Sequence, residues 1–321
     1  MPSPLLEVEG LSVTLATARG PATVLREIGF SLPRGDTLGL IGESGSGKSM
    51  TALALIGLLP EGARIEGSIR FDGRELTQLA ERDWCRLRGA RIGMVFQEPM
   101  SALNPLHTIG RQLAEPLRLH RGLDATDARA QALQLLERVR LPRAAERLDA
   151  YPHQLSGGQR QRVVIAIALA CQPALLLADE PTTALDASLR REVLALIAEL
   201  VAADGMALLL ISHDLGSVAG SVRRLAVMYA GRIVEQGPTA AVLARPAHPY
   251  TQGLIAARPR LAPAARDDGP PRPRLPTIPG RVPEWHELPP GCAFAPRCPR
   301  ATDACRAALP PAVEVGPGHV A

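Results

Sequence analysis

Gly42-Glu43-Ser44-Gly45-Ser46-Gly47-Lys48-Ser49 fits the spacing G-x-x-x-x-G-K-[ST] of a phosphate-binding loop. It lies where that motif must lie, after a short apolar run (Thr37 to Ile41) that reads as a buried strand and before Ser49 to Leu59, which reads as a helix. Glycines at these positions let backbone N–H groups converge on an anion at a helix start, where the helix dipole favours negative charge. Lys48 is expected to reach the β- and γ-phosphates of a nucleotide, and the Ser49 hydroxyl to bind Mg2+. Gly42, Ser44, Gly45, Ser46, Gly47 and Met50 complete the expected cradle. Of the 36 Lys and Arg residues, Lys48 is the sole lysine, so a compact ammonium is kept where a planar guanidinium would not serve. A dinucleotide reading of Gly45-Ser46-Gly47 fails because Met50 takes the place of the third glycine. A guanine-reading Asn-Lys-x-Asp motif would need another lysine, and the chain has none.

Further along, Ala174 to Ala178 and Ala207 to Ile211 are apolar runs suited to central parallel strands covered on both faces. Between them Leu189, Val193, Leu196, Ile197 and Leu200 recur at helical spacing, giving a strand–helix–strand unit and an α/β fold. Asp179 and Glu180 follow the first of these strands and therefore emerge at its C-terminal edge. There Asp179 suits Mg2+, directly or through water, and Glu180 suits a base that polarises the attacking water. Residues 105–150 lack strand signals and carry helical ones (Leu133, Leu136, Val139), as expected of a helical insertion.

The stretch Leu155-Ser156-Gly157-Gly158-Gln159-Arg160-Gln161-Arg162 places two glycines at a helix start, a second anion site beside a serine hydroxyl. At this point the chain resembles the ATP-binding cassette (ABC) ATPases, whose signature is LSGGQ. The order of motifs matches as well: phosphate loop, Gln97 after Val95-Phe96, signature, Asp179-Glu180, Ala184-Leu185-Asp186 and His213. The resemblance covers about residues 5–240 and implies a P-loop nucleotide-binding domain. Its parts would be a RecA-like core, an N-terminal β subdomain and a helical subdomain at about 100–160. It also implies that two cassettes sandwich each ATP between one subunit's phosphate loop and the other's signature. Ser156, Gly157, Gly158 and Gln159 would then act on the partner's ATP, Asp186 would contact the facing subunit, His213 would contact the γ-phosphate, and Gln97 would sense Mg2+ and couple to a membrane subunit. The family usually stacks an N-terminal aromatic on adenine; the matching position here is Leu15, so Leu15→Tyr is expected to tighten ATP binding.

The segment His248-Pro249-Tyr250-Thr251-Gln252-Gly253-Leu254, with Gly291-Cys292-Ala293-Phe294-Ala295-Pro296-Arg297-Cys298-Pro299, resembles the C-terminal extension of oligopeptide, dipeptide and nickel importer ATPases. This divides the chain into a cassette (1–240) and an extension (241–321). Fifteen of the 30 prolines lie between Pro259 and Pro317, a density that forbids long helices and interior strands. In some relatives, cysteines of the extension hold a [4Fe-4S] cluster. Cys292, Cys298 and Cys305 are the matching candidates here, and the resemblance puts the fourth cysteine beyond Ala321. His319 is a candidate substitute, in a cluster or in a Cys3His zinc site. Cys85 and Cys171 read as packing residues.

Composition narrows the function classes. A hydrophobic fraction of 46% excludes a chain disordered throughout, and five cysteines in 321 residues exclude a disulfide scaffold. The longest apolar run, Val163 to Cys171, stops at nine residues, well short of the ~18 that a membrane span requires. Met1-Pro2-Ser3-Pro4 shows no secretory signal. Of the net charge of +4, a surplus of three arginines falls from Ala256 onward, a solvated basic tail rather than a nucleic-acid groove. The expected protein is an ATPase on the cytoplasmic face of the membrane, working with a second, paralogous cassette, two permeases and, indirectly, a periplasmic or lipid-anchored binding protein. Its expected cargo is peptide, with nickel as the alternative and a soluble ABC protein acting on ribosomes or DNA as the more distant one.

Overall fold

The computed structural model describes residues 4–97, 102–183, 185–258 and 276–321. Ala184 of the third family motif and the proline-rich stretch 259–275 lie outside the described residues.

Two sheets carry the chain. The first joins β1 (Leu6–Thr17), β2 (Gly20–Leu32), β4 (Arg64–Phe71) and β5 (Arg74–Glu75) in the order β2-β1-β4-β5, all antiparallel. The second is built on β3 (Thr37–Ile41), β6 (Ile92–Val95), β7 (Leu175–Asp179), β8 (Ala207–Ser212), β9 (Arg224–Tyr229) and β10 (Arg232–Pro238). β11 (Glu314–Gly316) and β12 (His319–Val320) extend it, giving the order β11-β12-β10-β9-β3-β8-β7-β6. Strands β6, β7, β8, β3 and β9 are parallel. Their near-continuous burial explains the unbroken runs of Leu, Ile and Ala, because both faces are covered.

The expected strands and the helix between them appear as β3, β7, β8 and the helix Ala187–Asp204. The helix after the phosphate loop is shorter than its apolar pattern suggests, Lys48–Leu55. The chain turns at Gly57, whose φ of 63° is left-handed, and the Trp84 indole fills the space a side chain there would need. The middle of the chain is helical, with helices Ile109–Arg121, Ala125–Arg138 and Ala144–Arg147. They pack with Gly157–Leu169 into one apolar cluster through Leu113, Leu117, Leu135, Leu136 and Ile165.

The extension is joined to the cassette by the sheet and by a core of its own. β12 pairs antiparallel with β10 at Gln236↔Val320, so an edge hairpin completes the main sheet. Tyr229 of β9, Tyr250 of the helix Pro249–Ala256 and Phe294 form an aromatic cluster with ring centroids 4.7–5.4 Å apart. Among the described residues of the extension no helix is longer than Pro249–Ala256, and Ile278, Val282 and Cys298 pack on this aromatic cluster.

Candidate functional site

The loop 42–47 leaves the carboxyl end of β3 and enters the helix Lys48–Leu55. Gly47 takes φ 102°, which only glycine adopts without strain, and a Cβ there would crowd Leu25 at 2.8 Å. At Gly42 a Cβ would overlap the carbonyl oxygen of Met228, so β9 fixes the loop from behind. Lys48 is buried, 4% exposed, and its ammonium donates to the carbonyls of Gly42 (2.8 Å) and Glu43 (2.9 Å). Burial lowers its pKa, against the opposing pull of Glu180, Asp179 and Glu43. A cavity of about 530 Å³ opens over the loop, lined by Ser44, Gly45, Gly47, Lys48, Ser49 and Met50, with Gln97 and Glu180 at one wall. Ser46 is fully buried and Gly42 sits behind the loop, so these two shape the cradle without lining it.

Asp179 and Glu180 stand at the end of β7. Burial raises the Asp179 pKa, opposed by a hydrogen bond from the Ser49 hydroxyl. Its Oδ1 is buried without a protein partner. An orphaned carboxylate oxygen beside a serine hydroxyl and a phosphate loop fits a Mg2+ site, and Ser49 and Asp179 are the residues that would hold the ion. Glu180 has a φ of 46°, a left-handed backbone uncommon outside glycine and typical of strain kept at working sites. Its Oε2 accepts from Gln97 Nε2 (3.2 Å) and Thr183 Oγ1 (2.8 Å) and lies 3.1 Å from His213 Nδ1. Burial works to raise its pKa, but the hydrogen bonds from Thr183 and His213 prevail and hold it below the usual carboxylate value. The structure thus brings together Lys48, Ser49, Gln97, Asp179, Glu180 and His213. Thr183 was not singled out in the sequence.

The signature residues are not among those that line the cavity. Ser156 caps the helix Gly157–Leu169 in a capping box: its hydroxyl accepts from the Gln159 amide, and Gln159 Oε1 accepts from the Ser156 amide. Ser156 and Gly157 are exposed, whereas Gly158 is buried with the Leu189 side chain 2.5 Å from where a Cβ would stand. The Asp186 carboxylate caps the helix Ala187–Asp204 by accepting from Ser188 and Leu189 amides, each at 3.0 Å.

Three expectations change. Leu15 pairs with Ala22 across the antiparallel sheet and packs against the apolar core beneath it; it does not line the cavity. The remaining lining comes from Thr23, Val24, Ala230 and Gly231, and from Val282, Pro283, Glu284, Trp285 and Leu288 of the extension. The cluster expectation has no support: among the described residues no three His, Cys, Asp or Glu side chains are grouped so as to hold a metal. His319, the candidate fourth ligand, is instead buried on β12 with Nε2 2.7 Å from the carboxylate of Glu235, which also accepts from the Ala247 and His248 amides. All five cysteines are free thiols; Cys171 is half-buried, while Cys85 is exposed on the helix Glu81–Leu87 rather than packed.

The extension also grips the phosphate loop. The Arg297 guanidinium donates to both carboxylate oxygens of Glu43 (3.2 and 3.1 Å) and to Tyr229 Oη (3.3 Å), and the Glu43 amide donates to Tyr250 Oη at 2.9 Å.

A phosphate loop after the central parallel strand β3, with a paired Asp-Glu at the end of β7 on the far side of β8, defines a P-loop nucleoside triphosphatase. The comparisons with known proteins narrow this. The ABC transporter family model matches residues 25–183, and that of the oligopeptide/dipeptide transporter C-terminal region matches 234–305. The oligopeptide transport ATP-binding protein OppD of Salmonella typhimurium is 46% identical, with 98% of this chain and 92% of that protein covered. A Brucella abortus protein named as a peptide import ATP-binding protein is 50% identical, with 94% of this chain and 90% of that protein covered. Among solved structures, a dimeric ATP-binding cassette, MJ0796, in a post-hydrolysis state with ADP and Pi superposes with a TM-score of 0.66 at 28% identity, covering 73% of this chain and 98% of that one. The chain belongs to the ABC transporter ATPases, in the group that carries the oligopeptide/dipeptide-type C-terminal region.

Proposed function

We propose that this chain is the ATP-hydrolysing subunit of a bacterial peptide importer, acting with a second cassette and two membrane permeases that receive peptide from a binding protein. The names of the relatives support peptide over nickel as cargo. Among the described residues no helix is long and apolar enough to cross a membrane, which suits a subunit attached peripherally to permeases on the cytoplasmic face. The observation that carries the reading is the Glu180 carboxylate, held by Gln97, Thr183 and His213 beside Lys48 and Ser49.

In this reading Lys48 and the loop amides bind the phosphates, and Ser49 and Asp179 would hold a Mg2+ ion, which would supply neutralisation of the phosphate charge. Glu180 accepts the proton of a water whose oxygen attacks the γ-phosphorus as the bond to the bridging oxygen breaks and ADP departs. Gln97 and His213 keep the carboxylate aimed, and His213, about half exposed, is free to turn to the γ-phosphate once it is bound. Ser156, Gly157, Gly158 and Gln159, standing outside the cavity, serve the facing cassette's ATP, with Asp186 at the contact. The two domains of this reading are 1–240 and 241–321.

Glu180→Gln, in the chain reconstituted with its permeases, is expected to bind ATP with ordinary affinity and to lose turnover and uptake. Wild-type turnover in that variant would refute the assigned base.

A further inference from the structure

The cavity over the phosphate loop is shared between the cassette and the extension. Ser44, Gly45, Gly47, Lys48 and Ser49 line it together with residues 282–285 and Leu288 of the extension. The loop residues suit phosphate; the extension adds apolar side chains and an indole, Trp285, beside the Glu284 carboxylate. A nucleoside triphosphate combines an anionic chain with a flat aromatic base. β1 and β2 bring only Thr23 and Val24 to this cavity, and Leu15 is packed away from it.

The segment bearing Trp285 is braced for this task. Arg281 pairs with Glu287 at 2.8 Å, the Glu287 amide donates to the Glu284 carbonyl (2.8 Å), and the Glu284 amide donates to Glu287 Oε2 (3.1 Å). The segment is also tied to the phosphate loop: Arg297, which holds Glu43, donates through Nε to the Pro279 carbonyl at 2.7 Å. Ile278 and Val282 pack on the Tyr229–Tyr250–Phe294 cluster. Trp285 is half-buried, and among the described residues its ring contact is with the edge-on ring of His286, 5.3 Å between centroids. A partly desolvated indole on a braced segment, lining the same cavity as Lys48, is what a base-stacking platform requires.

We infer that Trp285 of the C-terminal extension stacks on the nucleotide base, taking over in this chain the role that Leu15 cannot fill. The ligand is a purine nucleoside triphosphate, and its affinity therefore depends on the extension as well as on the cassette. This inference rests on the nucleotide reading of the cavity.

The test measures binding of Mg-ATP and of Mg-tripolyphosphate, which has no base, to the full chain by calorimetry. Trp285→Ala is expected to weaken ATP about 5- to 150-fold, the range one base–aromatic stack supplies, and to leave tripolyphosphate affinity unchanged. Trp285→Phe should retain most of the ATP affinity. Unchanged or tighter ATP binding by Trp285→Ala overturns the inference, the tighter case marking the indole as a plug. An equal loss for both ligands also overturns it, since the damage would then lie in the phosphate cradle. If the wild-type chain binds tripolyphosphate but prefers it to ATP, the stacking inference alone fails; if it binds neither, the nucleotide reading fails with it.

Discussion

Arg297→Met tests whether the extension clamps the phosphate loop or merely packs beside it. The substitution keeps an unbranched stem and removes a guanidinium that donates to both oxygens of Glu43, to Tyr229 Oη and to the Pro279 carbonyl. It also removes a cation 5.7 and 5.9 Å from the ring centroids of Tyr229 and Phe294. Deleting one partner of a buried ion pair costs about 3–5 kcal/mol. Arg297 is buried, but the Glu43 side chain is 30% exposed and regains water, so the cost falls below that scale, to about 2–3 kcal/mol. The Pro279 and Tyr229 bonds do not involve Glu43, so they contribute to the single variant and not to a cycle. A double-mutant cycle with Glu43→Gln should therefore return a coupling of about 1–2 kcal/mol, read from urea unfolding of the four full-length chains. The KM for ATP should rise in Arg297→Met, because Glu43 loses one of its two tethers to the extension. Additive losses within about 0.3–0.5 kcal/mol, with an unaltered KM, would refute the clamp and leave Arg297 as packing.

Two other outcomes are expected. Gly42→Ala forces a methyl into the Met228 carbonyl, an overpacking cost of about 1–3 kcal/mol, and should weaken ATP binding more than tenfold in the same calorimetric titration. Burial pulls His248 from 6.5 down to about 4, against the opposing pull of Glu235, and its Nδ1 accepts the Tyr250 amide as a helix cap. The neutral ring is the folded form, so its contribution is fully present above about pH 6.5 and is lost as pH falls toward 4, at most about 3 kcal/mol. His248→Asn, which caps without titrating, should flatten unfolding midpoints across that window; an unchanged pH dependence would count against the assignment.

Much of the cassette was legible because its signals are local. The strand Thr37–Ile41 matches its apolar run residue for residue, since a strand buried on both faces has no need of polar alternation. Lys48, Ser49, Asp179 and Glu180 were readable because each ends or begins an element that periodicity reveals. The short helix after the phosphate loop was misjudged because the obstacle is Trp84, twenty-seven positions beyond Gly57 in sequence. The tail was the least legible part. Proline density announces loops, but it does not show that Tyr250 and Arg297 converge on Glu43 from separate segments. His319 read as a ligand because a histidine near cysteines suggests metal; that it faces Glu235 instead follows from a strand pairing of two residues. Leu15 was assigned by correspondence alone, and the cavity wall that replaces it lies some 270 positions away.

The edge hairpin has a consequence for handling the protein. β12 covers the outer side of β10, so a chain shortened before Glu314 would expose unpaired backbone donors and acceptors along that strand and strip the imidazole from a carboxylate that is 1% exposed. An uncovered strand of that kind is a template for intermolecular pairing. Trimming the proline-rich tail to improve behaviour in solution should therefore have the opposite result: a product that self-associates into higher-order aggregates.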